Sequence, residues 1–154
     1  MRLTTHTDYA LRVLMYLALR PGESSTIQEI AESYAISKNH LMKVVQNLGA
    51  AGWIETSRGR GGGLRLAKPA EAIDLGAVVR TTEEDLGLVE CFKPEENLCA
   101  ITPACRLKGV FAEALEAFFR ALSGYTLADL VRRPKGLARL LDLEVEAAGR
   151  EPRH

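Results

Sequence analysis

Apolar residues recur at helical spacing over residues 5–19. Leu11, Leu14, Leu17 and Ala18 fall on one side, and Pro21-Gly22 stops the run. Thr26-Ile-Gln-Glu29 has the spacing of a capping box and predicts a short helix through Ser33 or Tyr34. Ser37 stands where it can cap a third helix, whose Leu41, Val44, Val45 and Leu48 share a face and which ends near 49–52. Two short helices joined by a tight turn predict a helix-turn-helix. Trp53 to Thr56 and Leu64 to Leu66 read as short strands flanking Ser57-Arg-Gly-Arg-Gly-Gly-Gly63, a hairpin with a basic, glycine-rich tip. Such a hairpin after a helix-turn-helix is a wing. Ile73 to Arg80 predicts a further helix.

Residues 84–104 lack periodicity and contain Pro94, Pro103 and the cysteines. Beyond Cys105 the pattern changes. Leu107, Val110, Phe111, Ala114, Leu115, Phe118, Phe119 and Leu122 make a wide apolar stripe on a helix that would run ~23 Å over 107–122. A stripe so rich in phenylalanine suits burial against another helix, such as its own copy in a homodimer. Gly124 ends the run, and Thr126-Leu-Ala-Asp129 resembles a second cap, opening a helix to Val131. The expected organisation is a winged helix-turn-helix over 1–83, a cysteine loop over 84–104, a dimerisation helix with C-terminal helices over 105–148, and a flexible tail over 149–154. The fold class is mainly α with a small β-hairpin wing.

At 154 residues the chain suits one ordinary domain, or a small domain with an appendage, and can bury a core without metal or disulfide staples. A hydrophobic share of 47% argues against extended disorder. The longest apolar run, Val13 to Leu19, is far short of the ~20 residues of a membrane span. Asp8 precedes it where a signal peptide carries basic residues, so a cytoplasmic chain is expected. The net charge is zero, but the first 80 residues carry +3 and the rest −3. Ser33 to Ile54 and Thr56 to Ala70 contain no acid, so a basic face would lie there.

That face suits DNA. Lys38, Asn39, His40 and Lys43 fall in the first two turns behind Ser37, where a recognition helix meets base edges. Asn39 or Gln46 suits bidentate pairing with adenine. Arg58 and Arg60 on the wing suit the minor groove or phosphates, and the glycines, Gly61 and Gly62 among them, allow close backbone approach. The plainer alternative is a helical hairpin with a solvated basic face; the basic, glycine-rich tip favours DNA.

The three cysteines follow the pattern Cys91-x7-Cys99-x5-Cys105. An odd number argues against a disulfide framework, and the spacing is neither that of a zinc ribbon nor that of a ferredoxin. Three thiolates suit iron–sulfur, zinc or cuprous sites, and a fourth donor is missing. Three free cysteines serving as small core hydrophobes remain an alternative. The histidines, at 6, 40 and 154, are too dispersed to suggest catalysis, and no nucleotide loop is present, so an enzyme is not expected.

Five segments carry a resemblance: Leu3-Thr-Thr-His-Thr-Asp-Tyr-Ala-Leu-Arg12, Ser37-Lys-Asn-His-Leu-Met-Lys43, Arg58-Gly-Arg-Gly-Gly-Gly63, Cys99-x-Ile-Thr-Pro-Ala-Cys-Arg-Leu-Lys108 and Tyr125-Thr-Leu-Ala-Asp-Leu130. In order and spacing they resemble the IscR/NsrR-type winged-helix regulators over about 2–131, and within that family the nitric-oxide-sensing repressors. The resemblance implies a homodimer on a double-stranded DNA operator, with an iron–sulfur cluster held by Cys91, Cys99 and Cys105. It implies Asp8 as the fourth ligand, across the dimer, since Asp8 stands where such repressors carry an acidic ligand in the N-terminal helix; the histidine that other members place after the third cysteine is absent. A 4Fe–4S cluster is expected in preference to a 2Fe–2S one. Nitrosylation or loss of the cluster would lower DNA affinity.

Asp8 has a simpler reading, as part of a Thr5-x-x-Asp8 cap. Arg12, one turn on, would pair with Asp8 when no cluster is held, or contact a phosphate. The alternative functions are a regulator of the same architecture that senses iron–sulfur status or redox state, a zinc-bearing DNA binder, and an iron–sulfur enzyme or electron carrier.

Overall fold

The computed structural model describes residues 2–144; the expected tail at 149–154 lies outside them. Among the described residues, seven α-helices and one hairpin follow in the order α1 (Thr5–Ala18), α2 (Ile27–Tyr34), α3 (Lys38–Ala50), β1 (Ile54–Ser57), β2 (Gly63–Leu66), α4 (Leu75–Thr82), α5 (Arg106–Ser123), α6 (Leu127–Leu130) and α7 (Pro134–Leu140). The architecture is mainly α, with the helix-turn-helix and wing in the expected places. Among the described residues no helix is long and apolar enough to cross a membrane.

α1 is central. Its Ala10, Val13, Leu14, Tyr16 and Leu17 join Ile30 of α2, Leu41, Val44 and Leu48 of α3, Leu64 of β2, Val78 of α4 and Leu127 of α6 in one core. α2 opens with the expected capping box, Thr26 Oγ1 accepting from Glu29 N at 3.1 Å while the Glu29 carboxylate accepts from Thr26 N at 2.6 Å. It ends at Ala35 in the left-handed region (φ 52°), which turns the chain sharply into α3. Ser37 holds the N-cap position of α3, but its side chain makes no capping bond, so α3 starts there through its backbone alone.

The wing strands pair antiparallel from Ile54↔Leu66 to Ser57↔Gly63. Ser25, ahead of α2, extends this ladder by one bridge: its N donates to Leu64 O at 2.9 Å and Leu64 N donates to its O at 2.7 Å. Gly63 is required at this approach, because a Cβ there would stand 2.7 Å from Ser25 O and the residue has φ +147°. At the base of the wing, Trp53 Nε1 donates to Thr81 Oγ1 at 2.9 Å, which ties the hairpin to α4.

α4 begins two residues later than periodicity suggests. Asp74 is its N-cap, accepting from Ala77 N at 2.8 Å and from Ser123 Oγ at 2.9 Å, so the cap also grips the end of α5. Ile73 lies outside the helix because it pairs instead with the segment after α5: Leu127 N donates to Ile73 O at 2.9 Å and Leu75 N to Tyr125 O at 3.1 Å. α6 has the expected capping box between Thr126 and Asp129. The backbone bond from Thr126 N, with the Thr126 hydroxyl and Arg132, holds the Asp129 carboxyl below the usual range. α7, opened by Pro134 at its first turn, belongs to the stretch in which the sequence indicates helices without resolving them.

α5 crosses α4 at Gly76. A Cβ at Gly76 would meet Ser123 Oγ and would lie 3.0 Å from the Phe119 carbonyl oxygen. Arg80, one turn on, caps this contact by pairing with Glu116 at 3.1 Å and lying 3.8 Å from the Phe119 ring centroid. Alanine in place of a helical glycine ordinarily stabilises by about 0.5–1 kcal/mol. Here Gly76→Ala is expected to destabilise by about 1–3 kcal/mol through overpacking. Urea unfolding checks it, and an unchanged or raised midpoint would show that α4 and α5 are not in close contact.

Candidate functional site: the recognition face and the cysteine loop

α3 turns Lys38, Asn39, His40, Lys43 and Gln46 outward, all exposed, while Leu41, Val44, Val45 and Leu48 are buried. On the wing, Arg58 and Arg60 are exposed. Gly59 (φ +93°) and Gly61 (φ +72°) shape the tip, and Gly62 is packed so that a Cβ would stand 2.5 Å from Ser57 O. The cationic residues of both elements therefore stand free of the core, on the acid-free part of the chain.

α1 lies behind α3, and its polar edge touches that helix. The N-cap of α1 is Thr4, whose hydroxyl accepts from Thr7 N at 3.3 Å; Thr4 N and Oγ1 in turn donate to Glu83 at 2.7 and 3.0 Å. Capping thus falls to Thr4 and not to the Thr5–Asp8 pair considered from the sequence, because Thr5 is already inside the helix. The Asp8 carboxylate is left free to pair with Arg12, at 2.8 Å from Nη2 and 3.3 Å from Nε, both side chains half-exposed. The Arg12 guanidinium also lies 5.6 Å from the Tyr9 ring centroid and 5.9 Å from that of Tyr34. The Tyr34 hydroxyl donates to Arg12 O at 3.1 Å, and burial pushes this phenol up to about 12. Tyr9 in turn meets the His40 ring edge-on, with centroids 4.8 Å apart. His40 is thus both exposed on the recognition face and supported from behind by α1.

Two contacts here were not legible in the sequence. Tyr9 and Tyr34 bracket Arg12 from different helices. Asn47, on the last turns of α3, faces His6 of α1 with Nδ2 3.2 Å from Nε2. Partners 41 residues apart leave no local signal.

The cysteine loop follows α4 in the chain and leads into α5. Cys91 sits in a single 3-10 turn (Glu90–Phe92), Cys99 is exposed, and Cys105 is the N-cap residue of α5. All three are free thiols. The loop is held by side chains: Glu90 accepts from Leu98 N, Asn97 Oδ1 accepts from Cys99 N at 3.1 Å, and Thr102 Oγ1 donates to Cys99 O at 2.9 Å. Lys93 pairs with Asp85 at 2.5 Å, and this bond holds the Asp85 carboxyl low and the Lys93 ammonium high. Among the described residues of one chain, no three His, Cys, Asp or Glu side chains are gathered closely enough to hold a metal ion, so Cys91, Cys99, Cys105 and Asp8 do not converge within it. Of the expected α5 stripe only Phe119 is fully buried. Leu107 and Val110 are 55% and 58% exposed, and Phe111, Leu115 and Phe118 are half-buried.

A helix-turn-helix, a glycine-rich wing and a long helix beyond them form the architecture of a winged-helix regulator. Residues 3–133 match the sequence profile of the Rrf2 family, described as iron-dependent transcriptional regulators, and the chain belongs to that family. It is 54% identical over 145 residues to the HTH-type transcriptional regulator NsrR of Bacillus subtilis (strain 168), covering 94% of this chain and 99% of that one. It is likewise 54% identical over 142 residues to NsrR of Geobacillus kaustophilus, covering 92% and 97%. Among solved structures, it is similar to CymR, the global cysteine regulator of B. subtilis (TM-score 0.70, 27% identity, 86% of this chain and 97% of that one). It shares its fold with T. potens IscR (TM-score 0.71, 22% identity, 97% and 94%). The two NsrR relatives are named transcriptional regulators, not enzymes.

His6 generates a pH prediction. Burial, then the nearby Lys43, holds its pKa below the usual 6.5 against the opposing pull of Glu84. As acceptor from Asn47 it must be neutral at Nε2. The folded state therefore binds this proton less tightly than the unfolded chain does. The contribution is complete above pH ~6.5 and is lost as pH falls through the lowered folded value. Thermal unfolding of wild type and His6→Gln between about pH 7.5 and 5.5 checks it. The wild type is expected to lose more stability on acidification, and parallel curves would contradict the assignment.

Proposed function

We propose that the chain is a nitric-oxide-responsive transcriptional repressor that binds operator DNA as a homodimer and carries an iron–sulfur cluster, a 4Fe–4S cluster in preference to a 2Fe–2S one. The observation that carries the reading is the position of Asp8. It is a candidate metal ligand whose neighbours Arg12 and Tyr9 lead within one helical turn to His40 on the recognition helix. Homology to regulators named NsrR at 54% identity supports the same reading.

The donor set fits the group. Cys91, Cys99 and Cys105 are free thiols, two half-buried and one exposed, on a loop held by its own hydrogen bonds, and soft sulfur suits iron–sulfur chemistry. Asp8 is the proposed fourth donor. Its distance from the cysteines within one chain is consistent with the partner subunit's Asp8 completing the set. The uncovered apolar residues of α5, Leu107 and Val110 foremost, are the proposed dimer contact. When bound, the cluster supplies iron that takes nitric oxide.

Ser37, Lys38, Asn39, His40 and Lys43 would enter the major groove, and Arg58, Arg60 and the backbone at Gly61 and Gly62 would grip the flanking backbone. The Asp8 carboxylate is a hard donor among soft ones and is the donor most readily given up. A released Asp8 holds Arg12 as an ion pair, seated on Tyr9 and Tyr34; an engaged Asp8 leaves Arg12 free for a phosphate. Tyr9, shared between Arg12 and His40, carries that difference to α3. Two recognition helices must match half-sites ~34–36 Å apart, so a small tilt is enough to spoil the fit.

The test uses chain purified without air, shown by analysis to hold iron and acid-labile sulfide, and a duplex selected from random DNA. Nitric oxide is expected to weaken binding about 5- to 150-fold, the range of a coupling of ~1–3 kcal/mol. Equal affinities before and after would remove the sensing claim. Zinc in place of iron and sulfide would leave a structural-metal DNA binder.

A further inference from the structure

The other large apolar side chains of α3 are turned inward: Leu41, Val44 and Leu48 are fully buried and Val45 nearly so. Met42 is the exception, at 51% exposed. It lies on the outer face, four residues after Lys38, three after Asn39 and four before Gln46, which places it within one stripe of exposed polar residues. No acidic residue occurs from Ser33 to Ile54. About half of this large apolar side chain, in the middle of a cationic, otherwise polar helix face, is left uncovered by the described residues. The surface that complements such a stripe is polyanionic with an apolar feature on its floor. The DNA major groove has that chemistry, since the thymine C5 methyl is the apolar group displayed there beside hydrogen-bonding edges.

We propose that Met42 is a specificity-determining residue that packs on the C5 methyl of a thymine, between bases read by Asn39 and Gln46. The proposal rests on the DNA-binding reading above and deepens it by naming the base feature that is read. The unbranched thioether side chain adapts to the methyl without a fixed rotamer. An amide that pairs with adenine and an apolar contact to thymine both select A·T pairs, so the core of each half-site is expected to be A·T-rich.

The experiment uses the full chain, purified without air, and a duplex it selects from random DNA. Thymidines are replaced one at a time by deoxyuridine, which keeps base pairing and removes only the methyl. At one or more positions the wild type is expected to lose affinity about fourfold per contacted methyl, the worth of one buried methyl-sized group. Met42→Ala is expected to bind the thymidine and deoxyuridine forms equally at those positions, and Met42→Leu to keep the discrimination. Circular dichroism checks that both variants fold. Indifference of the wild type to every replacement, or unchanged discrimination in Met42→Ala, would overturn the assignment while DNA binding stood. A chain that binds no duplex would overturn the DNA-binding reading and this assignment with it.

Discussion

Helix α1 must satisfy two surfaces at once. Its Ala10, Val13, Leu14 and Leu17 are buried against the helix-turn-helix, the wing and α6, so it cannot shift without disturbing the core. Its polar edge carries His6, Asp8, Tyr9 and Arg12, which meet α3 and the solvent. The buried Thr7 hydroxyl donates to Thr82 Oγ1 at 2.9 Å and adds a fixed link to α4. A helix anchored in this way can pass on a change at its edge only through side chains and slight tilts. A reader of fixed groove spacing is sensitive to changes of that size.

The Asp8–Arg12 pair suits such a role because it is weak. An exposed pair one turn apart on a helix is worth about 0.3–0.5 kcal/mol, so either partner is readily taken by a competitor. The strong interactions lie elsewhere: in the core, in the Asp74 cap that binds α4 to α5, and in the strand-like pairing of 73–75 with 125–127. Stability and responsiveness are thus carried by different residues. The cysteine loop has the same division, with its backbone pinned by Glu90, Asn97 and Thr102 while its thiols stay free.

Features governed by neighbours in sequence were legible without coordinates. The Thr26 and Thr126 boxes, the α3 core face, the hairpin and the stop of α5 at Gly124 all follow from spacing over a few residues. The shortfalls arise where tertiary contacts compete with local preference. Ile73 is apolar and in helical phase, yet strand-like pairing with the chain after α5 takes its backbone. Thr4 takes the cap because Glu83, far along the chain, binds it there. His40 read as a DNA-facing residue of the recognition helix, and nothing in the spacing showed that Tyr9 stands behind it. The candidate ligands could be named one by one, but no spacing rule brings Asp8 to the cysteines, and a single chain does not gather them.

In the proposed function, Asp8 links the site of the proposed cluster to the recognition helix through Arg12 and Tyr9. Comparing anaerobically prepared wild type with Asp8→Ala tests it most directly, by visible absorbance and by operator affinity with and without nitric oxide. Asp8→Ala is expected to show an altered spectrum and a nitric-oxide response reduced below about fivefold, the lower end of an allosteric coupling. An identical spectrum together with an undiminished response would contradict it.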